Sequence, residues 1–437
     1  MKIHIFYFAL LIGAVTACNK ANPGPILPTD EHFRVHIDNE FNELQGRYAV
    51  WLSDEEGTVR AFRWAAGSDT SQIEVPDSKA GEVFDCTVAR VFGFETPGSG
   101  GIRDTTITLT TYTALADGAT IHLRSLAYKR TTDLGFTLNN VTSLDSIIVA
   151  DGLTFIKPHV TNSYNGLYQV EHTGRIWFRV LANGDPHWRY LYFDNILGNS
   201  LNLGNLDLNL MTLSFVQPSN IALPFTGAWK YKVDGVVDTA TLQFLPLGDL
   251  RRAPGGAEQI ISSLDVFEPV ANADFMPEPK PYNSFRVQAN ATSALNGYTY
   301  YSDDFYTKLP DQLSAPTFDL EPTFLSDNRS VAVRCVGDFD LLSFTRNYNS
   351  PELNISWEVL AKPANGVIIS NRLPDVPKEL SLAYVPLGVY QFSNLVLTRA
   401  ENYSRLDGYN AVVKQRLQNT DPLWQAKGGY TGREELY

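Results

Sequence analysis

The sequence has 437 residues, of which 44% are apolar and 19% are charged. This length and apolar content suffice for about two to four folded domains, and they exclude intrinsically disordered, collagen-like and coiled-coil proteins. The 35 basic and 48 acidic side chains give a formal net charge of −13. Because binding to phosphates requires clustered cations, this acidic balance predicts that nucleic acid is not a partner.

The first residues have the pattern of an exported protein. Met1 and Lys2 are followed by an apolar stretch over 3–15 that only His4 interrupts, which is typical of a secretory signal peptide. The stretch is too short to cross a bilayer, since a membrane-spanning helix needs about 20 apolar residues. It ends in the sequence VTAC at positions 15–18.

The VTAC sequence resembles the lipobox of bacterial lipoproteins, in which the Cys is joined to diacylglycerol through a thioether before the signal is cut. The resemblance implies that residues 1–17 are removed and that Cys18 anchors the protein in a membrane of the cell envelope. Asn19 is not the Asp that retains lipoproteins in the inner membrane of enteric bacteria, so the outer membrane is favoured. An ordinary cleaved signal with a coincidental Cys is the alternative.

Residues 18–30 are predicted to form a tether, because Pro23, Pro25 and Pro28 deny this stretch helical and ladder hydrogen bonds. Signal cleavage removes Lys2 and no acidic residue, so the mature charge becomes −13 − 1 = −14. An anionic leaflet repels so acidic a body, and the acyl chains are left to supply the attachment.

The two other cysteines are predicted to be buried thiols. Cys86 alternates with Phe84 and Val88, and Cys335 alternates with Val331 and Val333, so each Cys shares an apolar strand face. One disulfide between them is the alternative in an exported protein.

Short strands are predicted from end to end. Apolar and polar residues alternate repeatedly, which places one strand face in a core and the other in water. Good examples lie at 121–124, 206–210, 240–244, 285–289 and 355–359. Because Gly, Asn, Asp and Pro clusters separate these runs, the pattern predicts an all-β fold of tandem antiparallel β-sandwich domains, immunoglobulin-like or transthyretin-like.

Composition divides the mature chain into three predicted sandwiches, at 31–130, 131–275 and 276–437. The Pro-rich stretch 269–281 is the clearest internal linker, and the residues after Pro422 are predicted to be a loosely ordered tail. The best candidate for a helix is Tyr409 to Gln418, which a strand fits equally well.

The lipobox, the tether and the all-β body together resemble uncharacterised surface lipoproteins of Bacteroidota. Only the first 30 or so residues carry a specific motif, and the remaining likeness is one of composition, so the resemblance implies no activity.

Known catalytic and metal-binding motifs are absent from the sequence, which contains no HExxH, CxxC, GxSxG, Walker or EF-hand pattern. The seven His are scattered, so we predict no metal, no cofactor and no catalytic residue. The adjacent acids Asp303 and Asp304 point to opposite faces of an extended chain. Asp338 and Asp340 share a face and fit either a calcium site or, better, a solvated loop.

Aromatic residues of the Arg175–Asn195 hairpin give the candidate binding site. Outward-facing Trp and Tyr rings with an Arg side chain would form a platform for a sugar ring. The predicted ligand-binding residues are Trp177, Arg179, Trp188, Tyr190 and Tyr192. The Tyr-rich stretch 298–306 has the same character. Packing against a facing sheet or a neighbouring domain is the alternative for both.

These features predict a lipid-anchored, non-enzymatic binding or structural module of the envelope, with a glycan or an envelope protein as its partner. A fimbrillin-like fibre subunit is one alternative, which requires cleavage after an Arg such as Arg103, Arg124 or Arg130. A hydrolase with dispersed acidic residues is the other, and it requires a cleft with two carboxylates that converge.

Overall fold

The structure is a computed structural model that describes the following residues of the chain: 32–39, 47–65, 70–95, 103–123, 130–139, 144–150, 154–157, 165–172, 176–182, 189–193, 200–213, 215–218, 221, 230–238, 243–247, 259–262, 272–275, 282–292, 298–314, 317–325, 329–363, 368–418 and 427–435. Strands predominate throughout, which confirms the predicted all-β sandwich-like class.

The first part of the chain forms seven strands: β1 (Phe33–Asn39), β2 (Arg47–Ser53), β3 (Val59–Ala65), β4 (Ser71–Val75), β5 (Phe84–Glu95), β6 (Arg103–Leu115) and β7 (Ala119–Leu123). The middle part forms β8 (Arg130–Asn139), β9 (Leu144–Ala150), β10 (Thr154–Lys157), β11 (Asn165–His172), β12 (Ile176–Ala182), β13 (Arg189–Phe193), β14 (Ser200–Asp207), β15 (Thr212–Leu213), β16 (Phe215–Pro218), β17 (Lys230–Asp238), β18 (Gln243–Pro246), β19 (Gln259–Ser262) and β20 (Asn272–Phe275).

The last part forms β21 (Ser284–Thr292), β22 (Thr299–Tyr306), β23 (Asp319–Leu325), β24 (Ser330–Val336), β25 (Leu341–Asn349), β26 (Leu353–Ala361), β27 (Ile368–Arg372), β28 (Leu395–Tyr403) and β29 (Lys427–Glu435). Its helices are α1 (Lys378–Ala383), α2 (Val385–Gly388) and α3 (Gly408–Gln418). Tyr409 to Gln418, which fitted a helix or a strand equally well, lie in α3 and are therefore helical.

A twelve-stranded sheet organises the described residues, in the order β18-β17-β21-β22-β29-β28-β25-β26-β6-β5-β2-β3. Its neighbours pair antiparallel except at β6 and β26, which run parallel with Leu109 opposite Trp357. This parallel pair joins the first predicted sandwich to the third. The middle segment forms a six-stranded sheet β15-β13-β12-β9-β10-β19, a three-stranded sheet β11-β8-β14 and a two-stranded sheet β16-β20.

A small sheet covers each face of the twelve-stranded sheet. The sheet β4-β1-β7 packs on one face, where Val35, Ile37, Leu52 and Leu360 are buried together with residues of α3. The sheet β23-β24-β27 takes part in the core on the other face, beside α1 and α2. Both cores draw on residues before 130 and after 276, so the structure merges the first and third predicted units.

Trp51 and Trp357 lie in the core beside α1 and α2. Both have 0% exposure, and their rings are 6.3 Å apart edge to face. Trp357 also stacks on Tyr390. Its indole Nε1–H donates to Thr111 Oγ1 at 2.9 Å. Because a buried indole N–H needs an acceptor, this bond fixes the Trp357 ring across the junction of β26 and β6.

Cys86 and Cys335 are both free and buried, as predicted. Each lies in a different core. Burial raises the pKa of both thiols, which disfavours the reactive thiolate.

The pairing of β5 with β6 is irregular between Phe84 and Cys86. Near this irregularity Ala114 has φ +49°, in the left-handed region that a non-Gly residue rarely adopts. Its N–H donates to Asp85 Oδ1 at 2.9 Å. Burial raises the pKa of Asp85 to about 6, and Glu55 and Asp54 add to the rise while the bond from Ala114 opposes it. The Asp85 carboxyl therefore supports a strained backbone at the cost of a buried charge.

Replacing Asp85 with Asn should stabilise the protein at neutral pH. A raised carboxyl pKa means that the native state binds more protons than the unfolded chain, so stability falls as pH rises from about 4 to above 6. The rise of the Asp85 pKa to about 6 sets an upper bound of about 3 kcal/mol on the gain, and Asn keeps an acceptor for Ala114. Urea unfolding at several pH values measures the change.

The matched control is Asp117→Asn, because Asp117 also accepts a backbone N–H, from Arg34 at 2.7 Å, but is exposed. We expect this control to leave the stability at neutral pH nearly unchanged. Equal pH slopes for Asp85→Asn and the wild type would show that the Asp85 charge is not buried at a cost.

Candidate functional site

Strand β22 carries the Tyr-rich stretch predicted from the sequence and lies between β21 and β29. Successive side chains alternate between the two faces of the sheet. One face of β22 presents Tyr300, Ser302, Asp304 and Tyr306, and the other presents Tyr301, Asp303 and Phe305. The two faces differ in chemistry, since the first opens into a cavity and the second meets a network of buried charges.

The cavity over the first face has a volume of about 200 Å³. Side chains of β22 and of the β28 end form it, together with the loop after β22. The lining residues are Tyr300, Ser302, Asp304, Tyr306, Ser314, Thr317, Asn402, Ser404, Lys427 and Gly428. Hydroxyl groups prevail in this set, which also contains the amide of Asn402 and the ammonium of Lys427, and Asp304 is its one carboxylate among the described residues.

Hydrogen bonds orient the walls of the cavity. The Tyr300 hydroxyl donates to the Ser314 carbonyl at 2.7 Å, which fixes the loop over the strand. Asp304 Oδ1 accepts the Ser404 hydroxyl at 3.2 Å and the Phe305 N–H at 2.8 Å. Burial, together with Asp304 and Tyr300, raises the pKa of Tyr306 to about 12. Tyr306 therefore stays neutral and can serve as a hydroxyl donor and an aromatic surface.

Glu401 is the centre of the charge network on the second face and is 1% exposed. Its Oε1 accepts Lys427 Nζ at 2.7 Å and the Tyr301 hydroxyl at 2.6 Å. Its Oε2 accepts the Tyr403 hydroxyl at 2.6 Å and Arg416 Nη2 at 3.4 Å. The carboxylate thus binds β22, β28, β29 and α3 to one another.

Electrostatics explains why Glu401 stays charged. Burial alone would raise its pKa, but Lys427 and Arg416 outweigh burial and hold the pKa of Glu401 below its ordinary value. Tyr403 responds in the opposite direction, because burial and then the Glu401 charge raise its pKa. Arg416 also contacts Glu358 on β26, at 3.3 Å, so the second cation is shared by two carboxylates.

A second set of buried charges continues across the neighbouring strands. Lys232 Nζ lies 3.1 Å from Asp234 Oδ2 on β17. On β21, Arg286 donates through Nε to Asp303 Oδ1 at 2.6 Å and through Nη2 to the other oxygen. Gln288 also donates to Asp303, at 3.1 Å. Charges of alternating sign therefore follow one face of the sheet from β17 to β22, next to the Glu401 network.

These placements bear on the predicted pair of carboxylates. Asp303 and Asp304 do point to opposite faces, with Asp303 bound to Arg286 and Asp304 turned to the cavity. Glu401 and Glu358 both contact Arg416, but Glu401 is buried. The described cavity therefore provides hydrogen-bonding groups and a single acid, which suits binding better than acid–base hydrolysis.

Asp340 is one of the two acids that fitted either a calcium site or, better, a solvated loop, and it bonds backbone N–H groups. Asp340 accepts the Tyr403 N–H at 2.8 Å through Oδ2 and the Gly408 N–H at 2.7 Å through Oδ1. Both its oxygens are engaged in joining β28 to the start of α3. Within the described ranges, no group of three His, Cys, Asp or Glu side chains is placed to hold a metal ion.

The two strands that carry the predicted aromatic platform, β12 and β13, pair with each other, with Trp177 opposite Tyr192 and Arg179 opposite Tyr190. Tyr190 is 6% exposed, so its ring contributes little open surface, while Tyr192 is half-buried. Trp188 and the side chains of Trp177 and Arg179 lie outside the described part of the chain. The platform therefore remains a prediction.

Several other predictions fall outside the described residues, namely the signal sequence, Cys18, the tether and Arg124. Arg103 and Arg130 are the first residues of β6 and β8. In the part of the chain that the structure describes, no helix combines the length and the apolar character needed to cross a bilayer.

Sequence reasoning missed the residues that complete the site, above all Glu401, Arg416 and Lys427. The alternation in β28 places Glu401 and Tyr403 on one face and Asn402 and Ser404 on the other. This alternation indicates that β28 has two chemically different faces. It does not show that residues of β29 and α3 contact these side chains.

Comparisons with known proteins give no family. No protein-family model matches the chain, and no curated protein matches it. Solved structures that were matched include a "putative adhesin" from Bacteroides ovatus, with 6% identity, a TM-score of 0.11, and coverage of 60% of this chain and 72% of that chain. The TIE protein of Bacillus anthracis has 8% identity, a TM-score of 0.13, and coverage of 90% and 72%. Likeness at this level carries no argument about function.

Replacing Glu401 with Gln should destabilise the fold strongly. The substitution leaves Lys427 and Arg416 beside a neutral amide, and breaking a buried ion pair in this way costs about 3–5 kcal/mol. Because the pKa of Glu401 is lowered by folding, its contribution is present at neutral pH and is lost as pH falls below the ordinary Glu range. Denaturant unfolding at pH 7 and pH 3 measures both effects.

Glu321→Gln is the matched control, since Glu321 pairs with Arg334 at 3.0 Å where both side chains are exposed by more than a third. Exposed pairs of this kind contribute about 0–1 kcal/mol. Similar losses in the two variants would contradict the central role of Glu401.

Proposed function

We propose that this protein is a lipid-anchored, non-enzymatic binding module of the cell envelope whose ligand is a carbohydrate held in the β22–β28 cavity. The observation that carries the proposal is the cavity lining, in which Tyr306 and Asp304 stand among hydroxyl and amide side chains. Sugars present hydroxyl groups to such donors and acceptors, and their C–H faces pack on aromatic rings.

The size of the cavity supports one sugar ring of a longer glycan. Pockets that enclose a drug-sized ligand usually measure about 300–1,000 Å³, whereas this cavity measures about 200 Å³. A ligand that is held by one unit and continues along the surface fits this volume. Asp304 and Asn402 would select hydroxyl orientation, and Tyr306 would contact the ring face.

The cavity predicts a specific loss of glycan binding in two variants. Tyr306→Ala and Asp304→Asn should each weaken binding about five- to thirtyfold, because each removes a direct contact worth roughly 1–2 kcal/mol. The measurement is a glycan array with the wild-type protein, followed by calorimetric titration of the glycans that bind.

Asp319→Asn is the matched control for Asp304→Asn. Asp319 makes the same local bond, since its Oδ1 accepts the N–H of the next residue at 2.8 Å, but it is exposed and outside the cavity. The cavity proposal fails if the wild type binds no glycan or if the Asp304 and Asp319 variants bind equally well. Binding that survives Tyr306→Ala but is lost in Trp177→Ala would move the site to the aromatic platform.

The lipid anchor at Cys18 is the second part of the proposal and is supported by the VTAC sequence. Cells given an alkyne-bearing fatty acid should label the wild-type protein and retain it in the outer-membrane fraction. Cys18→Ser should lose both label and membrane retention. Cys86→Ser is the control and should keep them, since Cys86 is fully buried. Label that persists in Cys18→Ser would rule out this anchor.

The same preparations separate the two alternative functions. A fibre subunit would be cleaved after export and would assemble into polymers, which mass spectrometry and sedimentation detect. A hydrolase would release new reducing ends from a bound glycan. Either result would replace the binding-module proposal.

A further inference from the structure

Asp304 brings a formal negative charge into the β22–β28 cavity. The residue is half-buried and belongs to the lining. Its Oδ1 accepts the Ser404 hydroxyl at 3.2 Å and the Phe305 N–H at 2.8 Å, and both of these donors are neutral. Within the described part of the chain, no group donates to Oδ2 and no Lys, Arg or His side chain pairs with either oxygen. The charge of Asp304 is therefore not neutralised by a described neighbour.

Lys427 is the one cationic residue in the described lining, and its charge lies on the other face of the sheet. On β29 it is opposite Tyr403, which belongs to the face of the Glu401 network. Lys427 Nζ lies 2.7 Å from Glu401 Oε1 and 5.5 Å from the centre of the Tyr403 ring. Lys427 thus offsets the charge of Glu401, and the charge of Asp304 dominates the cavity.

Several hydrogen-bond donors of the cavity lining are already used within the protein. The Tyr300 hydroxyl donates to a loop carbonyl at 2.7 Å, and the Ser404 hydroxyl donates to Asp304. Asn402 donates through Nδ2 to the Asp338 carbonyl at 3.5 Å, which leaves Oδ1 as the acceptor of its amide. Asp304 Oδ2 and Asn402 Oδ1 therefore remain as acceptors for a ligand. A ligand rich in donors fits such a set better than one that brings acceptors.

Tyr306 adds a surface that favours a positive charge. Burial raises its pKa to about 12, and the charge of Asp304 contributes to the rise, because a nearby negative charge disfavours a second one. The phenol therefore stays neutral. The face of a neutral aromatic ring attracts cations, so Tyr306 and Asp304 favour the same kind of ligand.

We propose that the β22–β28 cavity takes a sugar unit with a free ammonium group, an amino sugar, in preference to neutral or acidic sugars, and this inference rests on the proposed carbohydrate site. An ammonium has three donors and no acceptor, so one group can bond Asp304 and neighbouring acceptors. Charge-assisted hydrogen bonds are also roughly twice as strong as neutral ones. A sugar carboxylate would instead meet Asp304 as a like charge.

The test compares three β-1,4-linked tetramers that differ only at carbon 2 of each ring. The tetramer of glucosamine carries an ammonium there, the tetramer of glucose a hydroxyl, and the tetramer of N-acetylglucosamine a neutral amide. Calorimetric titration of the full-length protein at pH 5.5 protonates the amine while Asp304 stays a carboxylate. We expect the glucosamine tetramer to bind at least about tenfold tighter than the glucose tetramer, because only its bond to Asp304 is charge-assisted.

Two variants assign the preference to Asp304. Asp304→Asn keeps an acceptor but removes the charge, so the ratio of the two affinities should fall to about threefold or less. Asp319→Asn removes the same charge from an exposed position outside the cavity and should keep the wild-type ratio. The melting temperature of each variant shows that the fold is retained.

Three results would overturn the inference. The first is binding of the glucose or N-acetylglucosamine tetramer that is as tight as that of the glucosamine tetramer. The second is an affinity ratio that Asp304→Asn leaves unchanged. The third is displacement of the glucosamine tetramer by ethanolamine at similar concentrations, which would assign the cavity to amines in general.

The glycan array distinguishes failure of this inference from failure of the carbohydrate site. If no glycan binds the wild-type protein, the carbohydrate site itself is wrong. If neutral or acidic glycans bind and lose affinity in Tyr306→Ala, while glycans with free amines do not bind, the site stands and only the preference for amino sugars is wrong.

Discussion

A buried carboxylate that stays charged is the constraint on which the packing of β22, β28, β29 and α3 depends. Removing the charge of Glu401 from water is costly, and the cost is offset only if cations and hydroxyl donors meet it together. Lys427 comes from β29, Arg416 from α3 and Tyr301 from β22. The arrangement that places β29 between β22 and β28 satisfies all of them, so electrostatics supports the position of β29 in addition to the ladder hydrogen bonds.

The same strand placement builds the proposed binding site. The pleat turns Glu401 and Tyr301 to the charged face, and it turns Asn402, Ser404, Tyr300 and Asp304 to the cavity. Gly429 lets β29 fit between its neighbours, since a Cβ there would lie 2.3 Å from the Ala400 carbonyl oxygen. A charged layer therefore lies beneath the hydroxyl, amide and carboxylate groups that line the cavity, and the bonds within that layer hold the strands in place.

The sequence by itself determined the all-β class, the buried thiols Cys86 and Cys335, and the opposed faces of Asp303 and Asp304, while the lipobox at Cys18 stays a prediction. These follow from alternation and local motif, which depend on neighbours along the chain. Only the tertiary structure decided that β6 and β26 pair in parallel, that Asp340 caps backbone N–H groups, and that Glu401 meets Lys427 and Arg416. Strand order and long-range ion pairs leave no periodic trace in a single sequence, because they depend on which distant segments share a sheet.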